Sequence, residues 1–214
     1  GLNYVTASNK LGQRFTISCC PNTAGVVQPA AFNISGIPGG AVIEKAFLWF
    51  DISGSGVPVT VTVTNPLLVT TSIPSTLIGS CIDKCWSFPG TYSYRCDVTS
   101  AVAGNGAYMI SGIPTSPNQT GNDVDGATLM IIYSDASVAY RGDIVIFDGC
   151  DVVNGGTTTE TINAFSACGN STAARAFLCI ADLQQLSTTM SLNGGPFGTT
   201  AEDWWNFVEV NTTV

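Results

Sequence analysis

Two neighbouring apolar runs stand out in the pattern of hydrophobic and polar positions. The first is Ala127–Tyr133 and the second is Val138–Phe147, and the short polar turn Ser134–Ser137 separates them. Both runs are rich in β-branched and aromatic residues, and both are apolar at successive positions rather than at alternate ones. This pattern predicts a central β-hairpin whose two faces are both covered, by sheets or by partner subunits.

Shorter strand signals are spread along the rest of the chain. Residues 57–64 alternate valine with threonine or proline, which predicts a strand with one buried and one wet face. Ala41–Ile52 is apolar on both faces and predicts a second central strand. Further strands are predicted at Tyr4–Ala7, Arg14–Cys19, Ala30–Ile34, Tyr92–Cys96, Ala107–Ile113, 157–165 and 207–210. Single helical turns are predicted at 98–102 and Ala181–Leu186, and residues 66–90 are predicted to be irregular.

Turn residues separate these strands at a spacing of about ten residues, which is typical of β-sandwiches. We therefore predict an all-β fold, a single jelly-roll or Greek-key-like β-sandwich with minor helix, stapled by disulfides. Residues 1–20 form an N-terminal strand segment and residues 21–214 the sandwich domain. No internal repeat or linker divides the chain further.

Composition narrows the partners that this fold can have. Charged residues make up 10% of the chain and the mean hydropathy is +0.30, which fits a protein that buries outer surface against copies of itself. The alternative is a large core beneath a surface rich in serine and threonine. A net charge of −8 with only seven Lys and Arg argues against nucleic-acid binding. No apolar run is long enough to predict a membrane span.

Eight cysteines and no histidine indicate disulfides in an oxidising compartment rather than a zinc site. No paired CxxC spacing occurs, and eight cysteines allow 105 pairings. We expect Cys168 to pair with Cys179. The adjacent residues Cys19 and Cys20 would point to opposite faces of a strand and take different partners. The disulfide candidates are Cys19, Cys20, Cys81, Cys85, Cys96, Cys150, Cys168 and Cys179.

The chain also carries four N-x-S/T sequons, which are glycan acceptors where the host has the machinery and are otherwise chance matches. They begin at Asn33, Asn118, Asn170 and Asn211. The sequence starts at Gly1 rather than at Met, which we read as a processed chain. Together with the disulfides, these features predict an extracellular or cell-surface location.

Residues that carry chemistry are scarce. Without histidine, the Ser-His-Asp and Cys-His arrangements are excluded, and no phosphate-binding or nucleophile-elbow motif occurs. Asp143, Asp148 and Asp151 are the best candidates for a carboxylate pair that hydrolyses glycosides, but ordinary loops cluster acids in the same way. We expect neither an enzyme nor a cofactor.

Four stretches taken in order resemble a known family. They are IEKAFLWF, YRCDVTSAVAGNGAYMISGI, GATLMIIYSD and YRGDIVIFDG, and the closing LNG and WNF segments extend the likeness over roughly residues 41–210. They are similar to a β-sandwich domain of unknown function in large prokaryotic extracellular and cell-wall-associated surface proteins. The resemblance implies a surface or filament location and a structural or adhesive role. It implies no catalytic residues. This chain differs in being short, in its eight cysteines and in lacking tandem repeats.

These observations predict a structural subunit of an extracellular, pilus-like filament, whose partners are copies of itself and possible covalent glycans. Subunits would join head to tail by β-strand addition. We expect the segment Leu2–Cys19 to be the donor strand, with the C-terminal strand as the alternative. The interface candidates are Leu2, Tyr4, Val5, Phe15, Trp204 and Trp205. The alternative function is a secreted carbohydrate-binding or adhesin module that uses Trp86, Trp204 or Trp205.

Overall fold

Almost all regular structure in the described part of the chain is β-strand. The computed structural model describes residues 1–11, 28–84, 87–115, 122–137, 143–153, 155–161, 173–183, 188–192, 194–200 and 203–213. Its strands are β1 (Leu2–Lys10), β2 (Ala30–Ile34), β3 (Val42–Gly54), β4 (Thr60–Thr64), β5 (Thr70–Pro74), β6 (Thr76–Cys81), β7 (Gly90–Asp97), β8 (Gly106–Ser111), β9 (Asp123–Ser134), β10 (Ala173–Leu183), β11 (Thr188–Leu192), β12 (Gly195–Thr200) and β13 (Asp203–Thr213). The described helix is one 3-10 turn, Thr99–Ala101.

Two antiparallel sheets form the body of the molecule. Sheet A has the order β1-β9-β3-β7-β6 and sheet B the order β2-β8-β4-β5. Successive strands alternate between the sheets, except that β4 and β5 form a hairpin and β6 extends sheet A beside β7. This strand order is that of a jelly roll with one extra strand, so the predicted all-β sandwich is confirmed.

The core between the two sheets is built from alternate residues of the strands. In β3, Ala46, Leu48, Phe50 and Ile52 face sheet B, and β-branched or aromatic residues of sheet B meet them. Strand β9 is buried at every position from Asp123 to Tyr133. The prediction that Ala127–Tyr133 is central and covered on both faces is therefore confirmed.

The outer face of sheet A is covered by two further pieces of the same chain. One is the irregular strap 143–153, and the other is the two-stranded sheet of β10 and β13. A second apolar cluster lies beneath them. Its buried members are Tyr4, Trp49, Met130 and Ile132, with Leu2, Phe47, Ile78, Ile144, Ile146 and Phe177 packed against it.

The strap corrects the prediction of a hairpin. Residues 143–147 of the predicted strand Val138–Phe147 pair with no strand, and residues 138–142 lie outside the described part. The segment nevertheless alternates, because Ile144 and Ile146 are half-buried whereas Val145 and Phe147 are exposed. It crosses the face of sheet A instead of extending an edge. The predicted helical turn Ala181–Leu186 is likewise wrong over 181–183, which belong to β10.

The described residues contain no disulfide, so the predicted staples find no support there. Cys81, Cys96, Cys150 and Cys179 are free thiols. Cys96 stands in the core, and burial raises the pKa of its thiol to about 12. Cys19, Cys20, Cys85 and Cys168 lie outside the described residues. The expected disulfide between Cys168 and Cys179 finds no support, because the Cys179 thiol is free and donates a hydrogen bond to Thr128 Oγ1. No helix among the described residues is long and apolar enough to cross a membrane.

Candidate assembly interface

Strand β1 is an edge strand of sheet A and pairs along its whole length with β9. The register runs from Leu2 opposite Ser134 to Lys10 opposite Gly126. The ladder of hydrogen bonds continues beyond both ends of the strand. Gly1 and Asp135 exchange two hydrogen bonds of 2.6 and 3.0 Å between their main-chain atoms, and the Leu11 N–H donates to the Asp125 carbonyl at 3.0 Å. An eleven-residue segment is thus held by a regular antiparallel ladder.

The ladder decides which backbone groups of β1 remain on its open edge. Because Gly1 and Leu11 belong to hydrogen-bonded pairs, the odd-numbered residues bond to β9 and the even-numbered residues face away from it. At Tyr4 these outward groups have partners, since its N–H donates to Asn3 Oδ1 at 2.8 Å and its carbonyl accepts Arg175 Nη2 at 3.0 Å. Backbone groups of Leu2, Thr6 and Ser8 lie along the same edge.

The side of β1 that faces the core is apolar. Val5 and Ala7 pack against the main core, and Leu11, just past the strand, is fully buried. At the same end, the Asn9 side chain donates to the Ala31 carbonyl of β2 at 2.9 Å. The edges of sheets A and B therefore lie side by side, and removing β1 would uncover the core at that point.

The opposite side of β1 is anchored by Tyr4. The Arg175 guanidinium lies 3.8 Å from the centre of the Tyr4 ring, and the Phe177 ring centre lies 5.8 Å away. Arg175 also donates to Asn3 Oδ1 at 2.7 Å and pairs with Glu209 at 3.6 Å. Strands β10 and β13 thus hold β1 in place through Arg175 and through the packing of Phe177 on Tyr4.

The electrostatics at Tyr4 follow from this packing. Burial raises the pKa of Tyr4 to about 12; the Arg175 charge opposes this shift and the Glu209 carboxylate adds to it. The phenol is therefore neutral at physiological pH. Its hydroxyl is buried and makes no hydrogen bond of normal geometry among the described residues, although Glu209 and Arg175 lie near enough to act on it.

Trp205 packs on β9 next to β1. Its indole N–H donates to Thr128 Oγ1 at 3.1 Å, and Ser8 Oγ lies 2.8 Å from the same oxygen. A Cβ at Gly126 would lie 2.4 Å from Trp205 Cγ, so glycine is required there. The ring is only 6% exposed, which leaves no face on which a sugar could stack.

The structure brings some of the predicted interface residues together and leaves the other predicted residues apart or outside the described part of the chain. Leu2, Tyr4, Val5 and Trp205 are brought together around β9, whereas Phe15 lies outside the described residues and only the backbone of Trp204, in β13, is described. Asn33 and Asn211 are exposed, and Asn118, Asn170 and Trp86 lie outside.

The three aspartates of the strap differ in their surroundings. Asp148 accepts hydrogen bonds from Trp49 Nε1 at 2.9 Å and from Arg95 Nη1 at 2.7 Å, so it fastens the strap to sheet A. Asp143 and Asp151 are exposed. No group of three or more potential metal ligands occurs among the described side chains.

Sequence reasoning did not identify Arg175 or the strap as part of this surface. Arg175 stands in an otherwise small and apolar stretch, AARAFL, and an isolated charge in such a strand was the available signal. In the sequence, residues 144–147 form an apolar run, and this pattern did not indicate that the segment pairs with no strand.

Comparisons with known proteins add no relative. No family model matches the chain, and neither the curated proteins nor the solved structures contain a match.

Proposed function

We propose that this chain is a structural subunit of an extracellular filament, and that subunits join head to tail by exchanging β1. The observation that carries the proposal is the β1–β9 ladder. It is an edge ladder with a regular register, apolar anchors on both faces and further backbone groups on its open side. Such a strand has the features that β-strand addition requires.

The covalent connection allows β1 to reach another subunit. Residues 12–27 separate Leu11 from Gln28, and sixteen residues of extended chain span at most about 55 Å. The same ladder can therefore form within one chain or between two. Exchange of an identical element conserves every contact of the ladder, so its free-energy cost is small.

The β9 strand supplies the driving force in this proposal. Because β9 is buried along its length, a subunit whose β1 is displaced exposes apolar residues on both faces. Another subunit's β1 would restore the burial, and repetition of this step from subunit to subunit gives an open polymer rather than a closed dimer.

Surface composition supports an assembled state outside the cell. Val145 and Phe147 on the strap are 42% and 51% exposed, and only 10% of the chain is charged. Exposed Asn33 and Asn211 are accessible to glycosylation, and the resemblance to surface-protein domains points the same way. A carbohydrate-binding module gains no support from Trp205, whose ring is buried.

The test compares the full chain with a chain that lacks residues 1–11, by negative-stain electron microscopy. We expect fibres from the full chain and none from the truncated chain. A synthetic peptide of residues 1–11 added to the truncated chain should restore the folded monomer, as read by circular dichroism, without restoring fibres. Fibres of normal length from the truncated chain would refute the role of β1, and a full chain that stays monomeric would refute the filament.

A further inference from the structure

Two thiols from distant parts of the sequence meet at one edge of sheet A. Cys81 ends strand β6, and Cys150 belongs to the strap that crosses the outer face. Both side chains are half-buried, so small reagents can reach them. About 70 residues of chain separate the two cysteines.

The backbone of the strap lies directly on β6. A Cβ at Gly79 would be 2.5 Å from the Cys150 nitrogen and 2.9 Å from the Cys150 Cβ, so only glycine admits the strap there. Because residues two apart on a strand point to the same face, Cys81 is directed to the side on which Cys150 lies.

The neighbouring strand gives an independent placement. Cys150 Sγ contacts the Thr91 carbonyl at 3.7 Å, and Thr91 is the cross-strand partner of Cys81. Side chains of directly opposed residues stand about 5 Å apart. The Cys81 side chain is also near enough to Cys150 to contribute to the raised pKa of the Cys150 thiol.

We propose that Cys81 and Cys150 are a redox pair that closes to a disulfide and fastens the strap 143–153 to β6. The oxidant is a low-molecular-weight disulfide. One cysteine thiolate attacks a sulfur of the oxidant, forms a mixed disulfide and releases the first small thiolate. The second cysteine then attacks the protein sulfur of the mixed disulfide and releases the second. Two protein thiols are oxidised, one disulfide is reduced to two thiols, and the two protons pass to the released thiolates.

The other described cysteines lack this arrangement. Cys96 is enclosed in the core, and the Cys179 thiol donates to Thr128 Oγ1 at 3.4 Å. Burial raises the pKa of Cys150 to about 12, so the exchange should be faster at alkaline pH, where more thiolate forms.

Peptide mapping tests the pairing. The purified chain is incubated with oxidised and reduced glutathione at pH 8, free thiols are alkylated, and trypsin with a glutamate-specific protease is applied without reduction. Cleavage isolates residues 46–84, which contain only Cys81, and residues 142–160, which contain only Cys150. The expected result is a mass that joins these two peptides. Alkylation of both cysteines, or a bond from either one to another cysteine, would overturn the proposal.

A second measurement separates this bond from others in the chain. Reduction of the oxidised wild type should lower the melting temperature by roughly 10 °C more than reduction of the Cys150→Ser variant does. Cys179→Ser serves as the matched control, and reduction should lower its melting temperature by as much as it lowers that of the wild type. Equal shifts in the wild type and in Cys150→Ser would contradict a bond that fastens the strap.

Discussion

The two faces of sheet A are covered in different ways. The inner face meets sheet B through aliphatic and aromatic side chains that are almost completely buried. The outer face is covered by a strap that pairs with no strand and by the β10–β13 sheet, and its contacts include the ion pair of Arg95 with Asp148 and the stack of Arg175 on Tyr4. The inner face therefore specifies the jelly roll, whereas the outer face combines a smaller apolar cluster with contacts between charged groups.

Strand β1 shows what the difference means for assembly. Its inward residues join the main core, and its outward residue Tyr4 belongs to the second apolar cluster, beneath Arg175 and Phe177 of β10. A strand whose contacts on both faces can be remade identically in another subunit is suited to exchange.

The largest effect should come from a pair of adjacent residues in β9 that point to opposite faces. Leu129 faces sheet B and Met130 faces the strap and β10, and both are at most 1% exposed. We expect Leu129→Ala to lower the free energy of unfolding by about 3–5 kcal/mol and Met130→Ala by about 2 kcal/mol, because an irregular cover can collapse into the cavity. Chemical denaturation measures both, and an equal or larger loss for Met130→Ala would remove the distinction between the faces.

The pH dependence of the free energy of unfolding should distinguish the outer face of sheet A from the inner face. Burial raises the pKa of Asp51 to about 6, although a hydrogen bond with Ser93 opposes the shift. The ionised carboxylate therefore destabilises the fold, with no cost below pH 4 and the full cost above about pH 6. Asp51→Asn should raise the free energy of unfolding by about 1–3 kcal/mol at pH 7.5 and leave it unchanged below pH 4.

Asp97 provides the control with the opposite sign. Burial would raise its pKa, but hydrogen bonds with Thr99 and Lys45 hold that pKa below its usual range. Asp97→Asn should therefore lower stability at pH 7.5, and the loss should vanish as the pH falls below that pKa. Urea denaturation at both pH values measures the two variants. A pH-independent gain for Asp51→Asn would contradict the assignment of a costly buried charge.

Removing one tyrosine hydroxyl on each side of sheet A compares the two faces. The Tyr108 hydroxyl, in the core, donates to the Gly104 carbonyl at 2.6 Å and accepts the Ala103 N–H at 3.0 Å. We expect Tyr108→Phe to lower the free energy of unfolding by about 1–2 kcal/mol. Tyr4→Phe should not lower it and should raise it by up to about 1 kcal/mol, because the buried Tyr4 hydroxyl makes no hydrogen bond of normal geometry among the described residues. A clear loss in Tyr4→Phe would show that the hydroxyl is bonded.

The smallest effect lies at a site on neither face of sheet A. Leu68, in the turn between β4 and β5, is 85% exposed and has a φ of 62°. Leu68→Gly should raise the free energy of unfolding by about 0.5 kcal/mol, and the melting temperature slightly, because glycine adopts this conformation without strain. Leu67→Gly, at an exposed neighbour without positive φ, should lower it by a similar amount. Equal effects would remove strain as the cause.

Period-two alternation and apolar runs predicted the strands of the jelly roll well. The strand Ala30–Ile34 was predicted with the observed bounds, and the turn at 98–102 contains the observed Thr99–Ala101. Residues 66–90 were predicted to be irregular, yet they hold β5 and β6 and the start of β7. Those strands are short, polar and at or near sheet edges, so no hydrophobic pattern identifies them.

The outer layer was harder to predict because its residues are defined by partners distant in sequence. An apolar run such as 143–147 carries the same signal whether it pairs in a sheet or crosses one. The meeting of Arg175 with Tyr4, or of Cys81 with Cys150, depends on how the layers stack. The sequence predicted Leu2, Tyr4 and Val5 as interface residues, which stays a prediction, and it did not indicate the residues that hold them within the chain.

In the proposed filament, β1 of one subunit pairs with β9 of another. Leu2 and Ser134 are opposed in a pair without backbone hydrogen bonds, where side chains approach most closely. Separate Leu2→Cys and Ser134→Cys chains are mixed, co-assembled and oxidised, and the double variant on one chain is the positive control. Residues 1–10 contain no native cysteine, so a linked peptide is identified by mass. We predict that the mixture forms the link between Leu2→Cys and Ser134→Cys chains. A link that forms in the double variant and not in the mixture would contradict the account.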